Sequence, residues 1–212
     1  MYERQRLAMV RKYVVDAGVS DNRILRAMSE LPRHLFVDPA IAAQAYNGRS
    51  LPIGYGQTIS HPTTVARMTQ ALNLEGGEKI LEIGTGSGYQ AAVLAKMGAK
   101  VYTVERIYEL TLRCRKIFEK LHLDSIAVKY GDGTLGWPKF GPYDRIIITA
   151  AAPDIPSPLI KQLKDGGILI SPVGPKNRQT LQILKKIEDE IQITVGKEQR
   201  FVPLIGNRGW QD

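Results

Sequence analysis

A glycine-rich turn joins a short apolar segment to a segment that is compatible with a helix. Residues 79–83 (KILEI) have the length and hydrophobicity of a buried parallel strand. Three glycines follow within residues 84–88 (GTGSG), and residues 89–97 continue as a predicted helix. Glycines let the backbone approach a ligand closely, and the free N–H groups at the start of a helix point toward it. The pattern therefore predicts a ligand site at the carboxyl end of this strand.

A second apolar segment follows the predicted helix. Residues 100–104 (KVYTV) are expected to form a strand that ends at Glu105. In nucleotide-binding α/β folds, an acidic residue about 20 residues beyond the glycines binds the ribose hydroxyls. Glu105 could also be an ordinary exposed acid at a strand end, but its distance from the glycines favours the ribose contact. The turn and this acid together predict a nucleoside-binding site.

The spacing of the glycines distinguishes this turn from two common nucleotide-binding motifs. Tyr89 occupies the position of the third glycine in the dinucleotide fingerprint, and no Gly-Lys-Ser/Thr follows as in a P-loop. Residues 82–89 (EIGTGSGY) instead resemble the first motif of S-adenosylmethionine-dependent methyltransferases. This resemblance implies that Glu82 helps to position the methionine end of the cofactor. Tyr89 is either a packing residue or part of the cofactor wall.

The remaining pattern predicts an α/β fold, a Rossmann-like open, mostly parallel twisted sheet with helices on both faces. Further strands are expected at residues 125–130, 143–149 and 168–173, and helices at 107–122 and 158–163, where Gly166 and Gly167 end the helix. An N-terminal helical flank and a C-terminal antiparallel hairpin, residues 180–187 and 190–195 with a turn at Asp189, complete the prediction. Residues 201–205 are expected to end the ordered chain as a strand or extended segment.

We expect a single domain over residues 1–212. Its predicted parts are the helical flank (1–45), a long active-site loop (46–61), the cofactor-binding core (79–174) and the C-terminal strands (179–206). Ligands of such sheets bind beyond the carboxyl ends of the strands. Asp132 follows the third strand of the core and could be an ordinary turn residue, but its place favours a contact with the adenine amino group.

Residues 57–62 (QTISHP) form the second informative motif. Pro62 fits the first position of a helix, where the N–H groups of Thr63 and Thr64 would lack intrahelical partners. Ser60 stands just before this helix, and a hydroxyl at a helix N-terminus suits a carboxylate ligand. The alternative is that Ser60 only caps the helix. His61 could be a general base, although one histidine beside a proline is weak support for that role.

Composition limits the other classes of function. No apolar segment approaches the roughly 20 residues of a membrane span, and the charged start of the chain lacks a signal-peptide core. The one cysteine, Cys114, is expected to be a buried structural thiol, and the three histidines show no metal-ligand spacing, so no metal is predicted. The net charge of +8 permits a nucleic-acid partner, but the basic residues are dispersed without interleaved aromatics. We expect a cytoplasmic monomer that does not bind nucleic acid.

Six stretches of the chain resemble the protein-L-isoaspartate (D-aspartate) O-methyltransferase family. They are LPIGYGQTISHPTTVARM at 51–68, KILEIGTGSGYQAAVLAKMG at 79–98, YGDGTLGWP at 130–138, YDRIIITAAAPDIP at 143–156, GGILISPVG at 166–174 and RFVPLIG at 200–206. They are distributed along the chain from residue 51 to residue 206. The Q-T-I-S-x-P element is far more specific than the cofactor motif, which many methyltransferases share.

The resemblance implies a repair enzyme. It implies methyl transfer from S-adenosyl-L-methionine, with S-adenosyl-L-homocysteine as product, to the free α-carboxylate of L-isoaspartyl and D-aspartyl residues in damaged proteins and flexible peptides. The ester then cyclises to a succinimide, which partly reopens to normal aspartate. The match also implies Ser60 as the active-site residue. The candidate cofactor-binding residues, with Ser87 and Tyr89 added from the turn, are Ile59, Ser60, Glu82, Gly84, Gly86, Ser87, Gly88, Tyr89, Glu105, Asp132 and Gly133.

Three other functions would use the same cofactor. A nucleic-acid methyltransferase that acts on base amino groups commonly carries Asn/Asp-Pro-Pro-aromatic after the fourth strand, where this chain has TAAAPD at 149–154. A small-molecule carboxyl methyltransferase is a further alternative. A non-catalytic cofactor-binding module is disfavoured because Glu82, Glu105 and Ser60 are all present. We expect the substrate peptide to lie extended between residues 46–60 and residues 201–205.

Overall fold

The computed structural model describes residues 2–188 and 190–211, and the described chain begins with a helical flank. Helix α1 (Glu3–Val10) continues into a short π-helix, and helix α2 (Asn22–Glu30) follows. Asp21 caps α2, because its carboxylate accepts a hydrogen bond from the backbone N–H of Arg23 at 2.8 Å. Two 3-10 segments, Arg33–Phe36 and Pro39–Gln44, complete the flank. The predicted N-terminal helical flank is confirmed.

The segment predicted as a long loop contains a short antiparallel hairpin. Strands β1 (Leu51–Gly54) and β2 (Gln57–Ile59) pair across a two-residue turn. Tyr55 and Gly56 both have positive φ, 53° and 68°, as a tight hairpin turn requires. The sequence prediction missed these strands because proline and glycine are unfavourable in strand interiors. Helix α3 (Pro62–Ala71) starts at the predicted proline.

A seven-stranded sheet forms the centre of the structure. Its strands are β3 (Lys79–Ile83), β4 (Lys100–Glu105), β5 (Ile126–Tyr130), β6 (Tyr143–Ile148), β7 (Leu163–Val173), β8 (Gln179–Ile187) and β9 (Glu190–Gln199). They lie in the order β5-β4-β3-β6-β7-β8-β9, parallel from β5 to β7 and antiparallel from β7 to β9. The mostly parallel sheet and the C-terminal hairpin are thus confirmed. The turn predicted at Asp189 lies outside the described residues.

The two faces of the sheet are covered differently. One face, which includes Ile80 and Val101, packs against the N-terminal helices and against α4 (Tyr89–Lys96) and α5 (Tyr108–Lys120). The opposite face, which includes Leu81 and Ile146, packs against α6 (Ser157–Lys161) and against Trp137 and Phe140, which lie at either end of a short 3-10 turn. Helices on both faces are confirmed, although α6 is the only α-helix of the described residues that lies on the second face. None of the helices within residues 2–188 and 190–211 is long and apolar enough to cross a membrane.

Two predicted boundaries were wrong. Gly166 and Gly167, expected to end a helix, lie inside β7, which begins at Leu163. The pairing register shifts there, so that the extra residues bulge, and Gly166 takes a φ of 73°. Residues 201–205 form isolated bridges at Pro203 and Ile205 rather than a strand, and they do not end the ordered chain. Beyond them, the Asn207 N–H donates a hydrogen bond to Asp132 Oδ2 at 2.8 Å, so the chain remains ordered past residue 205.

Candidate active site

A cavity of about 270 Å³ opens at the carboxyl ends of strands β3, β4 and β6. Four separate stretches contribute most of its wall: residues 57–60, 83–87, 104–107 and 202–205. Parallel strands bring their carboxyl ends to the same edge of the sheet, which explains why distant stretches meet here. Ser60 and the glycine-rich turn therefore border the same cavity, as their predicted roles require.

The glycine-rich turn has a backbone that only glycine adopts without strain. Gly84, Gly86 and Gly88 have φ values of 92°, 52° and 83°. A Cβ atom at Gly88 would also lie 2.8 Å from Phe118 Cζ, so there is no room for a side chain. Cys114 supports the turn from below, since its Sγ donates to Gly86 O at 3.3 Å. Burial raises the pKa of this thiol, and the prediction of a buried structural cysteine is confirmed.

Glu105 ties the glycine-rich turn to the start of α5. Its Oε2 accepts a hydrogen bond from Gly86 N at 2.8 Å, and its Oε1 accepts one from Ile107 N at 2.9 Å. The residue is 5% exposed and borders the cavity. Each carboxylate oxygen has a further acceptor site, so these contacts leave capacity for a ribose hydroxyl. The ribose contact itself stays a prediction.

Glu82 lies behind the cavity wall. Its Oε2 is 2.5 Å from the Thr103 hydroxyl, which is 2.6 Å from the hydroxyl of Thr85, a residue of the wall. Its Oε1 has no hydrogen-bond partner within residues 2–188 and 190–211. Burial raises the pKa of Glu82 to about 8; the Thr103 hydrogen bond opposes this shift, and the neighbouring Glu105 adds to it. Two hydroxyls thus connect a buried acid to the cavity.

Asp132 is held by the C-terminal segment. Its Oδ1 accepts hydrogen bonds from the backbone N–H and the hydroxyl of Thr134 at 2.8 and 2.7 Å, while its Oδ2 accepts one from Asn207 N. The neighbouring Gly133 borders the cavity. The contact of Asp132 with adenine stays a prediction, and its link to Asn207 had no signal in the sequence.

Ser87 and Tyr89 begin helix α4. Ser87 Oγ accepts a hydrogen bond from Tyr89 N at 3.2 Å. Tyr89 is fully buried, its ring meets Phe36 edge to face with centroids 5.3 Å apart, and it also borders the cavity. The two alternatives for Tyr89 therefore do not exclude each other, because it packs in the core and borders the site. The ring also contacts Arg33, a residue that the sequence prediction missed.

His61, and not Ser60, caps helix α3. The Nδ1 atom of His61 accepts a hydrogen bond from Thr63 N at 3.1 Å, and its carbonyl accepts one from Thr64 N at 3.0 Å. The expectation that these two N–H groups are free was wrong, because the cap already uses both. Burial lowers the pKa of His61, so the ring stays neutral at pH 7. Ser60 borders the cavity beside Ile59, and its own carbonyl accepts a hydrogen bond from Arg33 Nη2 at 2.7 Å.

No metal-binding cluster is found in the part of the chain that the structure describes, since no three His, Cys, Asp or Glu side chains are grouped suitably there.

Comparison with known sequences gives a consistent family match. The model of the family described as "Protein-L-isoaspartate(D-aspartate) O-methyltransferase (PCMT)" matches residues 4–209. A relative from Dictyoglomus thermophilum named protein-L-isoaspartate O-methyltransferase is 50% identical over 100% of this chain and 96% of its own length. A relative of the same name from Syntrophus aciditrophicus is 50% identical over 99% of this chain and 97% of its own length.

Solved structures give the same result. One described as a protein-L-isoaspartate O-methyltransferase has a TM-score of 0.86 and 30% identity, covering 98% of this chain and 67% of that chain. A Plasmodium falciparum protein in complex with S-adenosyl-L-homocysteine has a TM-score of 0.83 over 95% of this chain and 99% of that chain. Its identity is 21%, so this second likeness concerns the fold.

Glu82 generates a prediction for the pH dependence of stability. Its pKa of about 8 exceeds the ordinary 4.5, so the folded state keeps a proton that the unfolded chain loses in this range. The free energy of unfolding should therefore fall as pH rises from about 4.5 to about 8, by on the order of a few kcal/mol in total. Urea unfolding of the wild type and of Glu82→Gln at several pH values measures this. As pH rises, the free energy of unfolding of Glu82→Gln should increase relative to that of the wild type. The same pH dependence in both proteins would contradict the raised pKa of Glu82.

Proposed function

Because the chain belongs to the protein-L-isoaspartate (D-aspartate) O-methyltransferase family, we propose that its cavity is the place where S-adenosyl-L-methionine and an isoaspartyl carboxylate react. The enzyme methylates isoaspartyl and D-aspartyl residues of damaged proteins and thereby starts their repair. The observation that carries the assignment of the site is that Ser60 and the glycine-rich turn border one cavity. Groups bound at these two places can meet inside it.

The residues of the cavity fit this cofactor. Gly84 and Gly86 present backbone to the cavity, and a Cβ at Gly84 would lie 2.6 Å from Thr149 Oγ1. We assign the turn and Ser87 to the methionine end, Glu105 to the ribose, and Asp132 with Gly133 to the adenine end. Glu82 acts on the methionine end through the hydroxyls of Thr103 and Thr85. When bound, the cofactor supplies a methyl group on a positively charged sulfur.

Ser60 positions the substrate acid in this proposal. A carboxylate is ionised at pH 7 and needs no strong base to act as a nucleophile. The chain must instead hold the attacking oxygen about 3 Å from the methyl carbon and exclude water from it. The Ser60 hydroxyl donates one hydrogen bond to the carboxylate and leaves the other oxygen free to attack. We assign no proton transfer to His61, because the cap of α3 uses its Nδ1 and the residue does not border the cavity.

The substrate peptide passes between two walls of the cavity. Residues 57–60 form one wall and residues 202–205 form another. Both stretches carry extended backbone, which suits a flexible peptide, and neither belongs to the glycine-rich turn that holds the cofactor. This geometry supports the extended placement that the sequence suggests.

Methyl transfer from labelled S-adenosyl-L-methionine to matched peptides tests the function. A peptide with one isoaspartyl residue should be methylated, since its free α-carboxylate reaches Ser60 on a kinked backbone. The same peptide with normal aspartate and an RNA acceptor are the controls, and each should give at most background label. Equal labelling of the two peptides, or labelling of the RNA alone, would contradict the proposal.

Replacement of Ser60 tests its role in positioning. Ser60→Ala removes the hydroxyl from the cavity wall and should lower kcat by more than tenfold, or about 1.4 kcal/mol of barrier. Because His61 caps α3, the free energy of unfolding should stay nearly unchanged. The matched control is Ser125→Ala, an exposed serine that precedes β5. A loss of activity below tenfold in Ser60→Ala would show that this hydroxyl does not position the acid.

Hydrogen exchange tests the path of the substrate. Addition of the isoaspartyl peptide in the presence of S-adenosyl-L-homocysteine should slow amide exchange in residues 57–60 and 202–205, because bound peptide shields both. The edge strand β9 serves as an internal control and should not change. If both stretches exchange at the same rate with and without peptide, the substrate lies elsewhere.

A further inference from the structure

Arg33 is a fully buried cation next to the active site. Its Nε donates a hydrogen bond to Ala45 O at 2.9 Å, and its Nη2 donates one to Ser60 O at 2.7 Å. Both acceptors are neutral backbone carbonyls. Within residues 2–188 and 190–211, no carboxylate forms an ion pair with this guanidinium. The positive charge is therefore held in the core without a counterion.

Such an arrangement is costly, because a buried charge normally needs a charged partner and a full set of hydrogen bonds. Burial lowers the pKa of Arg33 to about 10, while the nearby Tyr89 and Tyr46 oppose the shift. The group remains charged at neutral pH. Its Nη1 is buried without a hydrogen-bond partner in the part of the chain that the structure describes.

Two cavity residues separate Arg33 from the cavity. Ser60 is bonded to the guanidinium through its carbonyl, and the Tyr89 ring lies under it, with its centroid 4.8 Å from the guanidinium carbon. Ser60 and Tyr89 both border the cavity, whereas Arg33 itself does not. Another cation, Arg106, borders the cavity next to Glu105, at the end that we assign to the cofactor. Arg33 thus places a positive charge behind the end that we assign to the substrate.

We propose that Arg33 is a positioning residue that fixes Ser60 and supplies the positive potential that selects a carboxylate substrate. The proposal rests on the function proposed above and extends it to the recognition of charge. A guanidinium in direct contact would bind both carboxylate oxygens with strong hydrogen bonds and make each a weaker nucleophile toward the methyl group. The same charge placed behind Ser60 attracts the carboxylate without this penalty, because potentials act across a low-dielectric wall.

The test compares binding of two peptides that differ only in charge. One contains isoaspartate with its free α-carboxylate, and the other carries the neutral α-carboxamide at the same position. Calorimetry in the presence of S-adenosyl-L-homocysteine gives the ratio of the two Kd values without turnover. The wild type should prefer the carboxylate at least about tenfold, equivalent to about 1.4 kcal/mol.

Two variants of Arg33 separate its charge from its hydrogen bonds. Arg33→Gln keeps an amide donor but no charge, and its preference should fall below about threefold. Arg33→Lys keeps the positive charge, so its preference for the carboxylate peptide should persist. Its kcat should fall, because an ammonium group cannot reproduce the two guanidinium hydrogen bonds to the carbonyls of Ala45 and Ser60. The matched control is Arg26→Gln, an exposed arginine of α2 paired with Glu30, which should retain the wild-type ratio. Binding of S-adenosyl-L-homocysteine should be normal in all three variants.

Several results would overturn the proposal. They are a wild type without preference for the carboxylate, an unchanged preference in a folded Arg33→Gln, and a lost preference in a folded Arg33→Lys at pH 7.

If Arg33→Gln does not fold, the Lys variant decides alone. A buried lysine loses its proton at a lower pH than arginine, so the preference of Arg33→Lys should decline at a lower pH than that of the wild type as pH is raised. A flat profile would contradict the proposal, and failure of the proposed function would appear separately, as a wild type that does not methylate the isoaspartyl peptide.

Discussion

The two hydrogen bonds of the Glu105 carboxylate hold the active-site edge of the sheet together. One bond fixes Gly86 in the glycine-rich turn and the other fixes Ile107 at the start of α5. The turn has positive φ values and therefore little intrinsic preference for its native shape, so these contacts and the thiol of Cys114 define its path. The same acid borders the cavity, which means that the residue assigned to the ribose also shapes the turn beside it.

The opposite side of the cavity depends on a different kind of contact. Ser60 stands between a hairpin and a helix, and its hydroxyl makes no hydrogen bond to either element in the part of the chain that the structure describes. His61 supplies the helix cap, and the Arg33 guanidinium holds the Ser60 carbonyl. The hydroxyl is therefore free for a ligand although the backbone around it is fixed. This division suits a reaction in which the nucleophile arrives already ionised and needs orientation more than activation.

The sequence predicts local features of this protein well and long-range contacts poorly. Strand β3 and the glycine-rich turn follow from apolar content and glycine spacing, which are properties of neighbouring residues. The hairpin in residues 51–59 was missed, because Pro52 and Gly54 are unfavourable in strands and the pairing compensates for them. The bond between Arg33 and Ser60 joins residues 27 positions apart, and that between Asp132 and Asn207 joins residues 75 positions apart. No local pattern encodes such contacts, and both bear on the site.

The link between Asp132 and Asn207 has a consequence for biosynthesis. Residues 202–205 form one wall of the cavity. The backbone just after them is held at two points: Asn207 N donates a hydrogen bond to Asp132, which follows β5, and Trp210 N donates one to Leu204 O at 2.8 Å. During synthesis on the ribosome, Ser60 and the glycine-rich turn are made long before residues 202–205. Both this wall of the cavity and the hydrogen bond that holds Asp132 are completed only when these late residues emerge.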